Sequence, residues 1–122
     1  MNSRIARTFL IAVTLVLTAG LVFAGGAQEG GTIKIGVSGA HTGDLASYGI
    51  PSMRAAELVA AQVNEAGGIN GTQIELVIED DACKEDQAAN AATKLVGEGV
   101  VAVMGHICSG ATEAALPIYL DA

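Results

Sequence analysis

Residues Ala55–Cys83 read AAELVAAQVNEAGGINGTQIELVIEDDAC, and they hold in order a helix, a stop, a turn and a strand. Ala56, Val59, Ala60 and Val63 recur at helical spacing and should face a sheet. Gly67-Gly68 ends that helix by supplying residues that tolerate positive φ. Asn70-Gly71 is a strong turn signal. Gln73–Glu79 then alternates as a strand does, with Ile74, Leu76 and Ile78 on one face and Val77 on the other. Half of a strand–helix–strand unit is therefore written here, and the flanking residues supply the rest.

Upstream, Thr32–Ser38 (TIKIGVS) reads as the first strand, with Gly36 allowing a neighbour to pack closely. A loop follows over Gly39–Ser47, and the helix is expected from Tyr48 to Ala66, because Pro51 fits only in a first turn. Downstream, Asp80–Cys83 is a loop. A second helix is expected over Lys84–Gly97, with Glu85 and Asp86 favourably placed at its positive end and Ala88, Ala92 and Leu95 as its inner stripe. Val100–Met104 (VVAVM) is a short apolar run of the kind expected of a central strand covered on both faces. A third helix begins near Ser109, and Pro117 should kink it or end it early. This alternation predicts an α/β fold: a parallel sheet with right-handed crossovers and helices on both faces. Ligands bind such sheets beyond the carboxyl ends of the strands, which here means Gly39–Ser47, Asp80–Cys83 and Gly105–Ser109. A fourth strand is due after Ala122, so the chain reads as a fragment.

The first 24 residues stand outside this pattern. Arg4 and Arg7 precede the apolar run Phe9–Leu17, and Val22-Phe23-Ala24 offers a cleavage site, the layout of a secretory signal peptide. Residues 25–31 read as a flexible mature N-terminus. The expected protein is soluble and periplasmic. Without the signal, Lys34, Arg54, Lys84 and Lys94 face thirteen acids, a balance that disfavours nucleic-acid binding.

In an exported chain Cys83 and Cys108 are expected to pair, which would contribute roughly 3 kcal/mol; two buried free thiols are the alternative. Metal binding is not expected, since no zinc-like spacing joins His106 to Cys108. Ser109 opens the third helix. Its hydroxyl could cap that helix, or it could join the free amides of the opening turn in holding an anion such as an amino-acid carboxylate. Tyr48 sits where the first loop meets the first helix, where its ring could cover an apolar ligand side chain, and Ile107 could add an apolar wall. His41 and His106 read as solvated or capping residues, and Glu79-Asp80-Asp81 as a solvated strand end. No catalytic grouping or cofactor is called for.

The segments IKIGVSGAHTGDLASYG (Ile33–Gly49), Ala55–Cys83 and GVVAVMGHICSGAT (Gly99–Thr112), taken together, resemble the N-terminal lobe of the leucine/isoleucine/valine-binding proteins, which are type I periplasmic binding proteins of ABC importers. The resemblance runs from about Thr32 to Ala122. It implies the incomplete first lobe of a two-lobe protein that closes on its ligand like a hinged clamp. It places Ser109 on the ligand carboxylate, and Tyr48, Ile107 and the neighbourhood of Cys108 on the ligand side chain. The Cys83–Cys108 pair matches the family disulfide. The implied partners are a small amino acid (leucine, isoleucine or valine) and a transporter permease, with the protein a monomer and not an enzyme. Alternatives on the same fold are an amide, urea or aromatic ligand, or an extracytoplasmic receptor domain. A Rossmann-like enzyme is more remote, because the glycine spacing around Gly36, Gly39 and Gly43 fails for a nucleotide loop.

Overall fold

The computed structural model describes residues 31–122. The signal-peptide reading, and nearly all of the N-terminal lead at 25–31, lie outside the described residues.

The element order is β1 (Ile33–Gly39), α1 (Ala46–Glu65), β2 (Ile74–Asp80), α2 (Glu85–Gly97), β3 (Ala102–Met104) and α3 (Ser109–Leu120). The strands form one parallel sheet in the order β2-β1-β3. Ile33 pairs with Ile74 and runs in register to Gly39 opposite Asp80, while Ile35 to Val37 pair with Ala102 to Met104. The chain leaves β1 in one direction to form β2, then returns past it to form β3. Right-handed crossovers of opposite sense put α1 on one face and α2 on the other. The pleat agrees. Ile35 borders a groove with Ala56 and Ala60 of α1, whereas a methyl group on Gly36 would lie 3.1 Å from both δ-carbons of Leu95 in α2. The small size of Gly36 is what lets α2 seat its one large inner side chain against the central strand.

The core is narrow. Its fully enclosed apolar side chains are alanines on all three helices and after β1, plus Val37 and Leu95. Alanine stripes let α2 and α3 lie close, and those two helices make the most extensive helix–helix contact.

Three expectations need correction, and a fourth, for Val59, needs qualification. The run Val100–Met104 is not a central strand: only Ala102–Met104 are strand, at the sheet edge, and Val101 is 74% exposed. β1 occupies the centre because both later strands pair with it. Pro51 is not in the first turn, since α1 starts at Ala46. The turn Gly43–Leu45 launches the helix early, and Gly49 presses so closely on the Ala40 carbonyl that a β-carbon there would overlap it. Val59 faces the sheet with Ala56 and Ala60, but the groove it lines there is open and leaves it 56% exposed. Pro117 does not stop α3, which runs three residues further to Leu120.

Candidate functional site at the carboxyl rim of the sheet

All three strands end at one rim, where the loops after β1, β2 and β3 meet. The loop after β2 is the most constrained. Ala82 and Cys83 both take left-handed backbone, with φ 46° and 57°, a conformation that costs L-residues roughly 1–2 kcal/mol each. Two acids hold it. Asp80 Oδ1 accepts the Ala82 amide at 2.9 Å, and Asp81 Oδ1 accepts the Cys83 amide at 2.8 Å. Hydrogen bonds to charged groups contribute about 1.5–3 kcal/mol, enough to offset the strain.

Side-chain alternation sends these adjacent acids to opposite faces. Asp80 lies on the α1 side. The same Oδ1 accepts the amides of His41 and Thr42 at 2.8 and 3.2 Å, and Oδ2 accepts the Thr42 hydroxyl. Burial alone would raise the Asp80 pKa, but the Thr42 hydroxyl and the amides of Ala82, His41 and Thr42 together outweigh it and hold the carboxyl below its ordinary value.

Asp81 lies on the α2 side and is 0% exposed. Its Oδ2 meets His106 Nδ1 at 2.6 Å and accepts the Ser38 hydroxyl at 3.3 Å. With Asp81 as a carboxylate, which only accepts hydrogen bonds, the proton of this contact is assigned to Nδ1. His106 Nε2 lies 3.1 Å from the Tyr119 hydroxyl in the last turns of α3. Burial, with the Asp81 charge added, pushes the Tyr119 phenol above its ordinary pKa, so it remains a neutral donor. The His106 side chain is 1% exposed. The reading of His106 as solvated or capping is therefore wrong, and that of Glu79-Asp80-Asp81 as a solvated strand end fails at Asp81, whose enclosed carboxyl is tolerated because both of its oxygens are hydrogen-bonded. Sequence reasoning missed this cluster, though a signal existed. Asp81 stands two residues before Cys83 and His106 two residues before Cys108, so a bond between the cysteines brings the other two into range.

The cysteines are bonded, with Cα atoms 5.4 Å apart. The bond joins the β2 loop to the residue that caps α3. Cys108 is that N-cap and makes no side-chain capping bond, so Ser109 is the first helical residue and not its cap. The first intrahelical bond runs from the Thr112 amide to the Cys108 carbonyl, which leaves the amides of Ser109, Gly110 and Ala111 outside the helical ladder. Ser109 is exposed. Ile107 lies over the end of β1, where a methyl group on Gly39 would be 3.1 Å from its Cδ1. Tyr48, on the α1 side of the rim, is 66% exposed and so is not a core residue. The Glu85 carboxylate lies beside Gly110, placing one anion near the start of α3 from the α2 side. Among the described residues no group of three or more potential metal ligands comes together, and no helix is long and apolar enough to cross a membrane.

A family model described as periplasmic binding protein matches residues 32–122. The chain is 46% identical over 99 residues to a leucine-, isoleucine-, valine-, threonine- and alanine-binding protein of Pseudomonas aeruginosa, covering 81% of this chain and 26% of that one. It is 43% identical over 89 residues to the Leu/Ile/Val-binding protein of Escherichia coli K12, covering 73% and 24%. Among solved structures it is similar to the branched-chain amino acid transporter substrate binding protein LivJ of Streptococcus pneumoniae in complex with isoleucine. There the TM-score is 0.71 at 42% identity, over 74% of this chain and 26% of the other. The chain thus spans about a quarter of the length of the relatives it matches.

Proposed function

This chain belongs to the periplasmic binding protein family, and on that premise we propose that it forms the first part of the ligand-binding lobe of an ABC-importer substrate-binding protein. Its ligand is leucine, isoleucine, valine or a similar small amino acid. Residues 32–122 supply the lobe, and residues 1–24 direct export to the periplasm. The observation that carries the reading is the opening turn of α3. There an exposed serine and three amides outside the helical ladder stand at the rim of a parallel sheet, the place where such folds take ligands.

In this reading the ligand carboxylate docks on the Ser109 hydroxyl and the turn's amides, favoured by the positive end of the helix. Ile107 and Tyr48 contact the aliphatic side chain, and Cys108 anchors the segment that carries them. The names of the relatives support the ligand class. The role is binding and not catalysis: the histidine nearest to Ser109 in sequence is held by Asp81 and Tyr119. The bound protein delivers its ligand to a transporter permease and works as a monomer without a cofactor.

Calorimetry on the full-length gene product tests this. L-leucine, L-isoleucine or L-valine is expected to release or absorb heat with a saturable isotherm. Ser109→Ala should weaken binding by about tenfold or more, the loss of one hydrogen bond to a charged group. Absence of binding to every aliphatic amino acid would sink the proposal.

A further inference from the structure

Building on that reading, we propose that Asp81 is the positioning residue of the capture segment, acting through the Nδ1 proton of His106 to fix where Ile107 and Ser109 stand. Among the described residues, the geometry makes Asp81 the one side chain bonded to all three strand ends. It takes the Ser38 hydroxyl at the end of β1, the Cys83 amide after β2 and His106 after β3. Its own amide donates to the Gly39 carbonyl at 3.0 Å, so its backbone is fixed to the central strand as well.

His106 transmits this anchorage. One ring nitrogen is held by Asp81, the other by Tyr119, and its carbonyl accepts the Thr112 hydroxyl at 3.3 Å. Thr112 and Tyr119 both belong to α3, so His106 joins Asp81 to both ends of the helix whose opening turn would hold the carboxylate, to the far end through its ring and to the near end through its carbonyl. Ile107 follows directly, seated over Gly39. The disulfide tethers the same segment two residues on, but a single covalent tether leaves rotation about itself. The Asp81–His106 bond supplies the second fixed point that defines an orientation.

Two substitutions separate positioning from mere packing. An asparagine side chain can place an N–H where imidazole Nδ1 was, whereas glutamine reaches the position of Nε2. In the full-length gene product, His106→Asn should keep affinity for L-leucine within about threefold of the parent, and His106→Gln should lose about tenfold or more. Equal losses, or better binding by the glutamine variant, would overturn the assignment. A second measurement needs no variant and no ligand. Nitrogen-15 NMR of the imidazole should show the proton of His106 on Nδ1, protected from solvent exchange; a proton on Nε2 alone, or rapid exchange, would overturn it. If the parent protein binds no aliphatic amino acid, the functional reading fails, while the imidazole spectrum still decides the Asp81–His106 link.

Discussion

The two faces of the sheet carry similar apolar patterns but are covered very differently. On the α2 face Leu95 is 0% exposed, Ala88, Ala91 and Ala92 are enclosed with it, and α3 packs against the helix. On the α1 face Val59 is 56% exposed and Leu58 60%, and a groove lined by Ile35, Leu76 and Met104 runs beside the helix. The rim repeats the contrast in polar form: Asp81, on the α2 side, is sealed, and Asp80, on the α1 side, holds an exposed loop. Apolar spacing shows which side of a helix turns inward. How deeply it is buried depends on what else packs against it.

The largest effect should come from the closed face. Leu95→Ala removes what is, among the described residues, the only large side chain enclosed between α2 and the sheet, and it is expected to cost about 3 kcal/mol, within the usual range for such truncations. Urea denaturation measures it, and a loss below about 1 kcal/mol would mean that face is looser than described.

An intermediate effect belongs to Asp80. Its carboxyl has a lowered pKa in the folded state, so its contribution is fully present above the unfolded value, near 3.9, and is lost as pH falls through the folded one. Asp80→Asn should therefore flatten the acid limb of the stability curve and cost about 1 kcal/mol near neutral pH, the net worth of a hydrogen bond. Urea midpoints from neutrality down to acid check this; an unchanged acid limb would detach Asp80 from the loop that leads into α1.

The smallest effect should be Val59→Ala on the open face, within about 0.5 kcal/mol. A cost approaching that of Leu95→Ala would erase the difference between the faces.

Much of this was legible in the amino acids. The strand–helix alternation, the rim, the Cys83–Cys108 bond and the close approach at Gly36 all follow from local pattern and chemistry. The edge position of β3 was not legible, because an apolar run of this length records the wish for cover and not the number of strand partners. The early start of α1 was hidden by Pro51, which sequence rules confine to a first turn but which a helix already launched at Gly43–Leu45 accommodates. The Asp81–His106–Tyr119 cluster was missed for a different reason. Each residue alone has a common solvated fate, and only the joining of distant loops makes them partners.

The strand order has a consequence for how the chain acquires its shape. β1 is made first yet lies in the middle, so both of its hydrogen-bonding edges stay open until far later residues arrive, Ile74 on one side and Ala102 on the other. Pairing over such separations is slow, because chain closure must precede any reward from contact. The helices can flicker into existence locally within microseconds, but the sheet has no pair to begin from before β2 is complete. A nascent chain stalled short of Ile74 would therefore hold helix without tertiary order, and its unguarded strand would be the part most exposed to wrong partners.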